Sequence, residues 1–327
     1  MKGKSEMRKF LVTRVSSLLL TLFLIMTITF ALFRLMPGDP TLAVFDDSMS
    51  EDDRERVREL WGLNEPLHTQ YFTYLVNAIT FKFDRSFISG VSVQSIVAEK
   101  LMNSLVLMGP ALVLSVVIGG IGGALVGWKR GSLLEKITVT VTLGLRATPV
   151  FFTGIMIAMV FAYQLRLFPS GGMMEPGSNL TAFQALSTKG FWLRVPLPLV
   201  TISLYLLGGP LMLMRTSILE VKGEDFMEVH LAKGLSEFTQ IKHAARNAIL
   251  PMVTYVAMMV TYVFHGQVVI ETIFSWPGIG RLLVQAILDQ DYPVAEGAFF
   301  LMALTVVIMT FIADLAYGSL DPRVVYE

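Results

Sequence analysis

The chain has 327 residues, of which 54% are hydrophobic and 16% charged. Soluble domains carry about a quarter charged residues, so this composition, with a mean hydropathy of +0.61, predicts a membrane protein. The 26 basic and 26 acidic residues cancel, which argues against a nucleic-acid partner, and the absence of cysteine excludes disulfides, thiolate metal sites and cysteine nucleophiles.

Lys2, Lys4, Arg8 and Lys9 precede an apolar run over residues 15–33. About 19 residues is longer than the apolar core of a secretory signal. The run ends in Arg34 and Pro37 rather than at a small-residue cleavage site. A retained first span is therefore expected.

A membrane span needs about 20 mainly apolar residues. Segments 10–33, 104–126, 137–165, 195–214, 249–270 and 294–316 meet that requirement. None shows strand alternation, and lipid demands internally satisfied backbone, so six helices are expected in an all-α polytopic membrane protein. The basic residues before the first span, and Lys129, Arg130 and Lys136 between the second and third, belong on the cytoplasmic side. Both termini and the loop over residues 215–247 are then cytoplasmic.

Residues 37–100 form an external insertion. Ser50 and the acidic run Glu51, Asp52, Asp53 suit a helix start, Gly62 its end, and Pro66 restarts the chain. Arg54, Arg56 and Arg58 leave the orientation unchanged, because long loops cross largely regardless of charge. The expected organisation is 1–36, cytoplasmic N-terminus and first span; 37–100, external loop; 101–316, a five-helix core that includes the loop 215–247; and 317–327, cytoplasmic tail. Asn179-Leu180-Thr181 is a glycosylation sequon by pattern only.

Several distinct short motifs stand along the chain. After the first span comes Met36-Pro37-Gly38-Asp39-Pro40, then Gly62-Leu63-Asn64-Glu65-Pro66-Leu67 and Gln70-Tyr71. Later stand Phe168-Pro169-Ser170-Gly171-Gly172 and Ala232-Lys233-Gly234-Leu235-Ser236. Near the end are Phe274-Ser275-Trp276-Pro277-Gly278-Ile279-Gly280, Asp291-Tyr292-Pro293 and Asp321-Pro322-Arg323. In this order and spacing they resemble the membrane permeases of peptide/nickel ABC importers, of the type that opens with one span and an external loop. The resemblance runs nearly end to end. It implies a type I ABC importer transmembrane domain in the cell inner membrane. It also implies a second homologous permease subunit, one or two cytoplasmic ATPase subunits, an external substrate-binding protein and surrounding membrane lipid as partners.

The resemblance implies that the loop 215–247 docks on the ATPase. Glu228 and Gly234 stand six apart, as the coupling pattern of ABC importers has them, with Val229 and His230 in place of two alanines. Leu250-Pro251 closes the pattern at a longer spacing. Physics gives the same loop a shape. A helix through Phe226, Glu228 and Ala232 meets Gly234, which can take the left-handed conformation. Lys233 and Leu235 flank it, and Ser236 caps a second helix with Glu237 in its first turn. By shape alone, an ordinary helical hairpin fits equally well.

Within the spans, Arg146, His265, Gln267 and Glu271 are candidates for a translocation path, since buried polar groups in lipid are costly. Arg146 suits either a cavity or a structural cation bonded to a neighbouring helix. Thr148-Pro149 beside it permits a local break. His265, where the family commonly has glycine, suits an interhelical polar pair as well as a path. Asp314 suits a helix anchor. The four histidines make no metal site, so no metal and no cofactor is expected. Gly119, Gly120, Gly122, Gly123 and Gly127 suit close helix packing.

Gly3-Lys4-Ser5 looks like the end of a phosphate loop but lacks its upstream glycine, so ATP chemistry is expected from another polypeptide. No paired carboxylates, nucleophile with base or metal cluster marks the spans, so an enzyme is not expected. The alternative to an ABC permease is a self-contained secondary transporter, which often shows repeated halves; no repeat is evident. Peptides, nickel chelates and oligosaccharides are all carried by the family.

Overall fold

A computed structural model of the chain describes residues 2–35, 51–60, 62–178, 180–264 and 266–320; the side chains of 2–11, 51, 53, 54, 57, 60 and 314–320 are not included. The motif at Met36–Pro40, Ser50, Trp61, Asn179, His265, the Asp314 side chain and Asp321–Arg323 lie outside the described parts. Fifteen α-helices make up almost all the regular structure among the described residues. They are α1 (Lys2–Leu35), α2 (Glu51–Leu60), α3 (Leu67–Ile79), α4 (Val93–Trp128), α5 (Leu133–Ala147), α6 (Val150–Ala158), α7 (Ala182–Ala185) and α8 (Lys189–Arg194). Then come α9 (Pro196–Val221), α10 (Asp225–Ala232), α11 (Glu237–Ala248), α12 (Leu250–Val263), α13 (Val268–Ile273), α14 (Ile279–Leu288) and α15 (Tyr292–Leu320). A π-helical turn, Met159–Gln164, continues α6. The only β pairing among the described residues is a single bridge between Arg85 and Ser92.

Among the described residues, four helices are long and apolar enough to cross a membrane: Val12–Leu35 within α1, α4, α9, and Tyr292–Ala313 within α15. The segment expected as a third straight span is instead bent by 102° between α5 and the α6–π stretch, and counts as a fifth span if the pair is one. The cause is local. Pro149 cannot donate and pushes its predecessor out of the helical region; Thr148 is extended, with φ −79° and ψ 130°, and Pro149 opens α6. The fifth expected segment also departs from one straight helix. Its apolar part is the 14-residue α12, followed by a left-handed Gly266 and the short α13.

The chain folds as two compact units, Met1–Met102 with Gly278–Glu327, and Asn103–Pro277. In the first, Met26 and Phe30 of α1 pack with Tyr74 and Ala78 of α3 and Phe300 of α15. A neighbouring cluster joins Phe33, Val93 and Val97 to Ile279, Leu283, Ala295 and Ala298. Ser86 donates to the Asp291 carboxylate, which also accepts from the Phe87 N–H at 3.1 Å.

In the second unit, α4 lies against α9 through glycines four apart. A Cβ on Gly119 would sit 2.8 Å from Pro210 Cβ, one on Gly123 2.9 Å from Met214 Cβ, and one on Gly127 2.8 Å from the Arg215 carbonyl oxygen. Only glycine permits this approach, which is the packing role the sequence suggested. Two of the short motifs meet in the same unit. The Gly172 N–H donates to the Phe274 carbonyl at 2.7 Å, and a Cβ on Gly171 would collide with that carbonyl. Phe274 and Trp276 are fully buried beside them.

Candidate functional site: the α10–α11 elbow and the polar residues of the spans

The loop after α9 is built from its caps outward. Helix α10 closes on Gly234, whose φ is +65°. The Gly234 N–H donates to Leu231 O at 2.9 Å and the Leu235 N–H to His230 O at 3.3 Å. These bonds satisfy carbonyls that a helix end leaves open, and they need a left-handed residue, which glycine supplies without a Cβ clash. Ser236 then caps α11, its Oγ accepting from the Thr239 N–H at 3.4 Å. The Gln240 side chain donates to Leu235 O at 2.7 Å and locks the four-residue link.

The elbow is anchored on one side and open on the other. Met227 of α10 and Ala244 and Ala248 of α11 are buried with Trp128, Met214, Ile218 and Met252. The Trp128 indole N–H donates to Glu237 Oε1 at 2.9 Å, and Lys222 Nζ donates to Trp128 O at 2.9 Å while lying 4.7 Å from the centre of its ring. Glu135 of α5 accepts from Arg215 Nε at 2.9 Å and pairs with Arg215 Nη2 as well. Opposite these braces, Glu228, Ala232, Lys233, Gly234 and Ser236 are exposed and Leu235 is half-buried. Leu231 and Phe238 are apolar yet 65% and 78% exposed, and Val229 is exposed too. No Cβ contact within 4 Å awaits a side chain at Gly234. The surface is a rigid elbow with apolar side chains turned outward.

The Trp128–Lys222–Glu237 brace, the Glu135–Arg215 pair and the exposed Leu231 and Phe238 are not legible in the sequence motifs. Their only forewarning was apolar side chains in an otherwise charged loop. His230, at the place of a family alanine, lies between Phe226 and His243, with ring centroids 5.5 Å and 4.9 Å away. Its Nδ1 is buried and has no hydrogen-bond partner.

Of the described span residues, Gln267 and Glu271 are bonded to each other, and Arg146 stands on another helix. Arg146 ends α5 at the 102° bend and is exposed on this chain; its Cδ lies 3.5 Å from where a Cβ on Gly208 of α9 would stand. Gln267 is half-buried at the start of α13, and its N–H donates to Glu271 Oε1 at 3.3 Å. Glu271 is fully buried and accepts from Ser104 Oγ at 2.6 Å. That carboxylate fastens α13 to α4. His265 falls outside the described residues. Among the described residues no three His, Asp or Glu side chains are grouped to hold a metal ion.

Comparison with known proteins completes the assignment. Residues 115–326 match the family described as binding-protein-dependent transport system inner membrane component, and residues 7–102 match its N-terminal part. The chain is 31% identical over 318 residues to the probable peptide ABC transporter permease protein y4tP of Sinorhizobium fredii, covering 97% of this chain and 99% of that one. It is 32% identical over 302 residues to the oligopeptide transport system permease protein AppB of Bacillus subtilis, covering 91% and 93%. It is 28% identical over 322 residues to the glutathione transport system permease protein GsiC of Escherichia coli, covering 98% and 100%. The family is the membrane domain of type I ABC importers, and the all-α fold with its long apolar helices is of that kind. The chain therefore belongs to the family of binding-protein-dependent transport system inner membrane components, as a permease subunit of an ATP-binding cassette importer.

Proposed function

We propose that this permease carries peptides or a related small solute across the inner membrane by alternating access, driven by an ATPase that docks on the α10–α11 elbow. The observation that carries the docking assignment is the left-handed, unobstructed Gly234 between exposed Leu231 and Phe238. Apolar side chains presented on a braced surface are suited to cover by another protein. Glu228, Ala232, Lys233, Leu235 and Ser236 form the rest of the contact. The relatives, two named as peptide permeases and one as a glutathione permease, support a peptide-like substrate.

The remaining organisation belongs to the same reading. Both termini face the cytoplasm, residues 37–100 face outward toward a substrate-binding protein, and a second homologous permease completes the path. ATP is hydrolysed by the partner, not by this chain. Arg146 faces the path or the second permease, since an exposed charge at membrane depth needs a polar neighbour. Gln267 contributes from the break before α13, while Glu271 holds that break in shape. The test is coexpression with the ATPase, second permease and binding protein of the same transport system, followed by copurification and ATP-dependent peptide uptake in vesicles. Uptake that needs an ion gradient and no ATPase would overturn the proposal in favour of a secondary transporter.

A further inference from the structure

The first unit contains a cavity of about 180 Å³ bounded by the end of α1, α3, the segment before α4 and the first turn of α15. Its polar lining includes Arg34, Tyr74, Asn77, Asp84 and Glu296. None of these serves the elbow. Tyr74 is only 7% exposed, and its hydroxyl is buried with no hydrogen-bond partner. A buried hydroxyl without a partner costs about 1–3 kcal/mol, so a group that bonds it has a reason to be there. Burial pushes the phenol up, and the Glu296 carboxylate adds to the effect, so the hydroxyl keeps its proton.

The charges say what kind of group fits. Three carboxylates, Glu65, Asp84 and Glu296, line the cavity against one guanidinium, Arg34. Arg34 is already committed. Its Nε donates to Gln70 Oε1 at 2.6 Å, and the guanidinium lies over the rings of Phe30 and Tyr292 at 5.1 and 5.6 Å. It reaches Glu296 Oε1 only at 3.4 Å, beyond the 2.7–2.9 Å or so of a strong charge-assisted bond. Glu296 thus keeps acceptor capacity, and carboxyl groups outnumber the one guanidinium around the cavity.

The walls distinguish an organic cation from a metal. Phe83, Phe87 and Tyr292 line the cavity with Tyr74, and aromatic faces attract ammonium groups. Calcium wants six to eight oxygen ligands, and among the described residues no three acidic or histidine side chains are grouped for a metal. We propose that this cavity binds a small organic ammonium group, held by Glu296 and Asp84, capped by the Tyr74 hydroxyl and flanked by aromatic rings. A free amine or quaternary ammonium and the terminal ammonium of a peptide share this chemistry.

The experiment uses the full chain in lipid nanodiscs, with choline and glycinamide as probes for the two sources and calcium chloride as the metal probe. Ligand-observed saturation-transfer NMR measures binding to the parent and to Asp84→Asn, Glu296→Gln, Tyr74→Phe and Glu99→Gln. Asp84 is at the surface, so Asp84→Asn does not threaten folding, and exposed Glu99 lies outside the cavity. Binding of either cation to the parent and to Glu99→Gln is expected, weakened by about tenfold in Asp84→Asn and in Glu296→Gln, through loss of a charged hydrogen bond for glycinamide and of an ion-pair partner for choline. Preference for choline assigns a free cation, and preference for glycinamide a peptide terminus. The proposal is overturned if neither amine binds the parent, if the Asp84 and Glu296 variants bind as the parent does, or if calcium binds and the amines do not.

Discussion

The indole N–H of Trp276 donates to the backbone carbonyl of Asn103 at 2.9 Å, and the Asn103 side chain returns a bond of 2.9 Å to the Pro277 carbonyl. The pair ties the start of one unit's sequence to its end, and Trp276 is fully buried. Replacing the ring by phenylalanine keeps most of the apolar burial but leaves the Asn103 carbonyl without its donor. Trp276→Phe should cost about 1–3 kcal/mol, and Trp276→Ala about 3–5 kcal/mol. Thermal unfolding of the purified chain in detergent would rank the two. Equal stability of Trp276→Phe and the parent would mean that the bond contributes nothing.

The glycine stripe of α4 gives a graded test. A methyl group on Gly123 would strike the α9 backbone and Met214, whereas one on Gly120 would meet only the tip of Met252 at 3.6 Å. Gly123→Ala should therefore destabilise by about 1–3 kcal/mol, the cost of overpacking. Gly120→Ala makes ordinary contact and replaces a helical glycine, so it should be neutral or slightly stabilising. Melting temperatures of the two variants in detergent decide it. A reversed order would mean that α4 and α9 do not pack through this face.

What the sequence revealed and what it hid follow one rule. Features set by near neighbours were legible: the break at Pro149, the end of α10 at Gly234, the cap at Ser236, the close packing of Gly119, Gly123 and Gly127. Each rests on backbone conformation or residue size, which a local window carries. Features set by distant partners were not. The bond from Ser104 to Glu271 spans 167 positions, and no local window contains it. Arg34 looks like the end of a span until Glu296, 262 positions later, is found beside it. The outward turn of Leu231 and Phe238 depends on which side of the elbow Met227 anchors, and hydropathy cannot tell that.

Arg146 allows its charge and its stem to be separated. The stem packs at Gly208 and the head stands at the bend between α5 and α6. Arg146→Leu keeps apolar contact at Gly208 and removes only the charge. Assembly should survive, and uptake should fall by about tenfold or more, the scale of one hydrogen bond to a charged group. Size-exclusion profiles of the assembled transporter, read beside vesicle uptake, report the two effects separately. Normal uptake by this variant would remove Arg146 from the path.

Gly234 and Gly62 make a matched pair for testing the docking surface. Both have φ +65°, both follow a helix, and neither has any atom within 4 Å of where a Cβ would stand. A leucine at either position pays the same left-handed strain, about 1–2 kcal/mol. The backbone cost is thus common to the two variants, and any difference in coupling comes from what approaches the site. Gly190 would be a poor comparator, because it is buried and a Cβ there would sit 3.3 Å from Glu175. With an ATPase seated on the elbow, the Gly234→Leu side chain projects into the contact, and a docked surface cannot relax freely. Gly234→Leu should lose most copurification and uptake, while Gly62→Leu keeps copurification of the ATPase. Gly234→Asn, which tolerates the left-handed conformation with a smaller side chain, should fall between them. If Gly234→Leu and Gly62→Leu copurify the ATPase equally and transport equally, the ATPase does not sit on this elbow, and the loop carrying Lys129 and Lys136 becomes the surface to mutate next.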